Sequence, residues 1–141
     1  MPYATQADMV SHLGEREVIA ITDRNLTGAI DPAVLADALD LASDEIDAYL
    51  EGRYALPLPR VPRLLTRLCC DVARYRLCGA DAQETEPTRN RYKDALKMLE
   101  QIKKGELTLG LDSAQQEVGT RQTVQIKNGR RTFSQDELAD Y

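Results

Sequence analysis

The chain has little of several things that enzymes use for chemistry. Its 141 residues include one histidine, three cysteines, one phenylalanine and no tryptophan. With His12 alone, histidine-based triads and multi-histidine metal sites are excluded. Cys69, Cys70 and Cys78 are odd in number, lack C-x-x-C spacing and fall in one apolar helical pattern. They predict buried, reduced thiols and an intracellular chain. No Gly-rich phosphate loop or G-x-S-x-G elbow occurs, so the corresponding nucleotide and hydrolase chemistries have no foothold. No window approaches the roughly 20 apolar residues of a membrane span, and MPYATQADMV lacks the basic and apolar regions of a signal peptide, which predicts a soluble protein. The expectation is a protein that is not an enzyme and takes no cofactor and no metal.

What is present is helical pattern. The length suits one domain able to bury a core without disulfides. Thr5 followed by Asp8 has the spacing of an N-cap with an acidic N3 residue, and Met9, Val10 and Leu13 share a side before Gly14, predicting a short first helix. EREVIAITDRN fits neither period cleanly and is assigned to helix. Asp31-Pro32 is a strong start signal, after which Leu35, Leu39, Ala42, Ile46 and Tyr49 recur at spacings of four and three until Gly52 offers a stop. This helix spans about 27 Å at 1.5 Å per residue. Pro62 opens another, with Leu65, Leu68 or Cys69, Val72 and Tyr75 inward and an end at Gly79. Pro87 starts a last one from about Thr88 to Lys104, stopped by Gly105, with Tyr92, Ala95 or Leu96, Leu99 and Ile102 inward. Beyond it the period changes to two. Leu107, Leu109 and Leu111 alternate, which reads as a short strand. The polar run SAQQEVGTRQ follows, and TVQIKNGRRTF then places Asn128-Gly129 between two strand-like runs, a β-hairpin signal. Ser134 is a candidate N-cap of a terminal turn containing Leu138 and Tyr141. The fold class expected is all-α, a small bundle of four to five helices over residues 1–104, with a strand and a C-terminal hairpin arm over 105–141. The arm has too few apolar residues to fold alone and is expected to be mobile in the monomer and to order on assembly, anchored by Val124, Ile126 and Phe133.

Charge is distributed unevenly along the chain. Residues 1–51 hold eleven Asp/Glu against two Arg, while residues 52–104 hold twelve Lys/Arg against six Asp/Glu. Two arrangements satisfy this: pairing inside one fold, or the acidic part of one copy meeting the basic part of the next. The candidate subunit interface is Asp37, Asp40, Asp44 and Asp47 against Arg63, Arg67 and Arg74. Asp71, four residues after Arg67 and three before Arg74, has the spacing to neutralise some of that basic stripe within its helix. The four aspartates form a solvated acidic face in preference to a cation site, because no EF-hand loop follows. The arginine stripe also allows a different reading, a small DNA-associated helical protein. An acidic chain with a sequence pI near 4.9 is poorly suited to that, since phosphate attraction supplies most non-specific affinity.

Between the two central helices lies EGRYALPLPRVP, twelve residues with one glycine and three prolines. Prolines fix φ and remove donors, so this connector reads as a built elbow. Gly52 stops the preceding helix, Arg53 bonds its terminal carbonyls, and Tyr54, Leu56 and Leu58, with Pro57 between the leucines, pin the connector to the bundle and orient the basic helix. A rigid loop that merely closes the core accounts for the same residues.

Read in order, several segments form a recognisable series: Tyr3, Thr5, Asp8 and Gly14; Ala42 with Ile46-Asp47-Ala48-Tyr49-Leu50; Gly52-Arg53-Tyr54 with Leu56-Pro57-Leu58; Tyr75 with Leu77-Cys78-Gly79; RYKDALKML; and Arg131 with Phe133-Ser134. In this series, of which IDAYLEGRYALPL is the most specific part, the chain resembles a phage-protein family typified by a Mu-like prophage protein of the head-tail region. The resemblance implies a small helical adaptor that forms a ring beneath the portal of a tailed-phage head and joins it to the tail. It further implies other copies of the chain, portal and tail proteins as partners, with DNA touched only in passing and no membrane. The expected locations are the host bacterial cytoplasm during assembly and the head-tail junction of the virion.

Overall fold

In a computed structural model, which describes residues 2–78 and 85–111, the chain forms five helices: α1 (Gln6–Leu13), α2 (Glu15–Thr22), α3 (Pro32–Leu50), α4 (Arg63–Leu77) and α5 (Glu86–Lys104). Among the described residues the all-α class expected from the periodicities is observed. The hairpin over 123–133, the arm anchors Val124, Ile126 and Phe133, and the terminal turn at Ser134 lie outside the described residues.

Local chemistry marks where α1, α3 and α5 begin. Thr5 Oγ1 accepts from the Asp8 amide at 3.3 Å while an Asp8 carboxylate oxygen accepts from the Thr5 amide at 2.8 Å. This reciprocal capping box satisfies two amides that have no helical partner. Asp31 accepts from the amides of Ala33 (3.0 Å) and Val34 (3.3 Å), and Pro32 follows it. α5 starts at Glu86, two residues before the expected Thr88, with Thr85 as its N-cap and Pro87 in its first turn. Proline is tolerated there because its missing N–H has no acceptor to lose.

α3 and α4 form the centre, since each packs against every other helix; α5 lies on both, and α1 and α2 cover another side of the pair. α3 buries Leu35, Ala38, Leu39, Ala42, Ser43, Ile46 and Leu50, so Leu50 is fully buried where Tyr49 was expected to be and Tyr49 is only partly covered. α4 buries Leu65, Leu68, Cys69, Cys70 and Val72, while Tyr75 reaches the edge of α5. Cys69 and Cys70 are free and buried; burial, chiefly, raises both thiols above the ordinary range, Cys70 to about 12. They remain protonated at neutral pH and act as small core hydrophobes.

The exit from α3 differs from expectation. The helix ends at Leu50, Glu51 remains in the right-handed region, and Gly52 does not adopt positive φ. The Leu50 carbonyl instead accepts from the amides of both Arg53 and Tyr54, each at 2.9 Å. One more right-handed turn therefore carries the chain out, and the burial of Tyr54 fixes it. α4 likewise stops at Leu77 with Cys78 as its cap; Gly79, the expected stop, lies outside the described residues. After α5, residues 107–111 alternate in burial as the period of two requires, with Leu109 inward. Among the described residues they belong to no sheet ladder. The leucines pack on the body while the Leu109 amide bonds a side chain.

Candidate assembly surface

The acidic face of α3 divides in two. Asp37, Asp40 and Asp44 are exposed and form no ion pair among the described residues. Asp47 is drawn inward, where it accepts a short hydrogen bond from the Tyr3 hydroxyl. Burial, then that carboxylate, raises the Tyr3 phenol well above its ordinary range. Asp47 thus fastens the N-terminal segment to α3, together with Ser43, whose hydroxyl accepts from the Tyr3 amide at 2.9 Å. The carboxylate that bridges helices is one the sequence reading passed over. Glu45 accepts from Arg76 Nε (3.1 Å) and Nη2 (2.6 Å) and from the Tyr92 hydroxyl (3.1 Å). Tyr92 stacks on Tyr75 with ring centroids 4.0 Å apart, so this cluster joins α3, α4 and α5.

The basic face of α4 divides in the same way. Arg63 and Arg67 are exposed, and Arg67 Nη2 lies 3.7 Å from the Met98 sulfur. Arg74 turns inward to pair with Glu17 of α2; its side chain is 14% exposed and its Nε meets no acceptor among the described residues. Asp71 does not neutralise Arg67 or Arg74 within the helix as its spacing suggested. It is buried against His12 of α1, with Nε2 and Oδ1 2.9 Å apart. Both Asp71 and Arg74 point at the α1–α2 pair, and long-range packing overrides the weak i,i+3 and i,i+4 preference. Of the seven candidate interface residues, five are thus presented outward: Asp37, Asp40, Asp44, Arg63 and Arg67. Asp40 borders a groove with Pro32, Ala36 and Leu39, whereas Arg67 borders a cleft of about 300 Å³ with His12, Asp71, Arg91 and Asp94.

The elbow is held more firmly than its own sequence indicates. Tyr54 and Leu58 are 4% and 5% exposed, Leu56 is half-buried against the core, and Gly52 and Pro57 are exposed. The Leu56–Pro57 peptide is cis. Tyr54 Oη accepts from the Leu109 amide at 3.3 Å, and Arg60 Nη2 donates to the Gly110 carbonyl at 3.1 Å. Arg53, expected at the end of α3, lays its guanidinium over Gly105 at the end of α5 and 6.0 Å from the Tyr54 ring centre. Residues 105–110 are therefore the elbow's partner, and sequence reasoning missed them. The available signal was the leucine alternation after Gly105, which requires an apolar surface to cover. No helix among the described residues is long and apolar enough to cross a membrane.

Comparison with known proteins places the chain among phage proteins. A family model described as Bacteriophage Mu, Gp36 matches residues 3–128. The chain is 40% identical over 101 residues to a Haemophilus influenzae protein named Mu-like prophage FluMu protein gp36, covering 72% of this chain and 66% of that one. It is 38% identical over 114 residues to Gene product J of Escherichia phage Mu, covering 80% of this chain and 79% of the relative.

Proposed function

Because the chain belongs to the bacteriophage Mu Gp36 family, we propose that it is a structural virion protein, a head-tail connector whose copies form a ring between portal and tail. It performs no catalysis in this reading. The observation that carries the proposal is the pair of outward charge sets, Asp37, Asp40 and Asp44 on α3 and Arg63 and Arg67 on α4. Opposite charges on different parts of one surface favour head-to-tail contact between copies, and such a contact closes into a ring when its rotation permits. The elbow supports the same reading, since Tyr54, Leu58 and Arg60 fix the angle at which α4 presents its arginines.

The test uses phage particles. Induced lysogens lacking the gene should release filled heads and separate tails, and purified full-length chain added to the mixture should restore joined particles. Joined particles in the absence of the chain overturn the connector role. Retention of the purified chain on DNA at physiological salt, without any effect on joining, favours the DNA-associated alternative.

A further inference from the structure

Leu26 stands out on the surface. It is 91% exposed, and its φ of 57° places it in the left-handed region that residues other than glycine, asparagine and aspartate seldom occupy. The loop that presents it is fastened at several points. Asp23 accepts from the Thr27 amide (2.9 Å), the Thr27 hydroxyl (3.0 Å) and the Gly28 amide (2.7 Å). These bonds, the Thr27 amide foremost, hold the Asp23 carboxyl below the usual carboxylate range. At the loop's base the Asp31 amide donates to the Thr22 hydroxyl at 3.3 Å. A single exposed leucine is ordinary, but one held in a strained backbone conformation is the kind of outlier from which a functional hypothesis is drawn.

The same chain carries an apolar groove where the loop enters α3. Pro2 and Ala4 of the N-terminal segment and Pro32, Leu35 and Leu39 of α3 line a space of about 320 Å³ with Asp40 beside it. An apolar cavity of about 150 Å³ already accommodates a benzene ring, so the groove has volume enough for a leucyl side chain, over a floor made by the buried Ala4, Leu35 and Leu39. Its exposure shows that Leu26 does not occupy the groove of its own chain.

Building on the connector reading above, we infer that Leu26 of one copy inserts into the Pro2–Pro32–Leu39 groove of the next copy. Charge agrees with this occupant. Arg24, exposed two residues before the knob, and Asp40 beside the groove are opposite in charge and form no ion pair among the described residues; in this contact Asp40 meets Arg24, and Asp37 and Asp44 are left to Arg63 and Arg67. A knob that seats in the groove of the next copy, while its own groove receives another, makes a heterologous interface, the type that generates rings.

The test is made on the purified full-length chain. Leu26→Asn keeps the left-handed conformation accessible and removes the apolar knob; melting should be unchanged or raised while self-association weakens at least about tenfold, a typical loss for a central apolar anchor. In a mixture of Leu26→Cys and Ala36→Cys single variants, oxidation should yield a peptide linked from position 26 of one copy to position 36 of another. Association unchanged in Leu26→Asn, or a mixture without the linked peptide, overturns the knob and leaves the connector reading standing. A wild-type chain that fails to associate at any concentration overturns the knob also, and whether the connector reading falls with it is decided separately by the particle-joining assay.

Discussion

At Gly105 two demands fall on one residue. Its φ of 84° ends α5 in the left-handed region, with the Glu106 amide closing back on the Gln101 carbonyl at 2.9 Å, the arrangement that satisfies orphan carbonyls at a helix end. A Cβ at this position would also overlap the Arg53 guanidinium. A cation there faces the negative end of the helix dipole, so the contact has an electrostatic reason as well as a steric one. Gly105→Ala should cost about 1–2 kcal/mol for the backbone conformation alone, with a further loss from displacing Arg53. The two contributions separate in a double-mutant cycle followed by urea unfolding. In an Arg53→Ala background Gly105→Ala should cost less, with a coupling of about 0.5 kcal/mol or more. Strict additivity would show that the guanidinium yields without loss and that only backbone strain matters.

Among elements, the elbow and residues 105–111 depend on each other. Leu109 is buried, its amide reaches Tyr54 Oη, and the Gly110 carbonyl reaches Arg60. A chain ended after Leu111 should therefore be more stable than one ended after Lys104 by about 2 kcal/mol, the order expected for burying one leucine and making a hydrogen bond, less the entropy of ordering the segment. Equal melting of the two truncations would mean that the segment rests on the elbow without stabilising it. This dependence also marks what the sequence could reveal. Thr5 with Asp8, Asp31 with Pro32, and Gly105 act on amides and carbonyls within a few residues, so helix starts and the last stop were legible. The choice between Arg74 and Arg76 was not, nor was the choice between Asp47 and Glu45. Helical spacing limits a side chain to a sector of the surface, but Glu17, Tyr3 and Tyr92, which decide those choices, lie far away in the chain. Tyr54 was legible as an anchor; its bond to a residue 55 positions later was not. For the candidate surface, periodicity identified charged faces, and tertiary packing then took Asp47 and Arg74 inward.

For the whole molecule, the proposed contact between copies rests on charge that the fold leaves outward. With Arg74 occupied by Glu17 and Asp47 by Tyr3, the residues of the proposed charge contact that remain outward are Asp37, Asp40 and Asp44 on one side and Arg63 and Arg67 on the other. Exposed pairs of this type contribute only about 0–1 kcal/mol each, but several acting together set orientation and encounter rate. Arg67 is exposed, has a methionine sulfur beside it and forms no ion pair among the described residues, and although Asp71 and Asp94 share its cleft, His12 and Arg91 do too, so its reversal costs no more than an exposed charge pair, about 0–1 kcal/mol. Arg67→Glu should leave the melting temperature within a few degrees of wild type while weakening self-association, and added salt should shrink the difference between the two chains because screening removes attraction and repulsion alike. Asp44→Arg in the same chain should restore part of the association, since each copy then offers reversed but complementary charges to the next. Sedimentation at two ionic strengths reads all three chains. Association that is insensitive both to salt and to Arg67→Glu would exclude charge as the force between copies and leave the apolar contact of Leu26 to account for it.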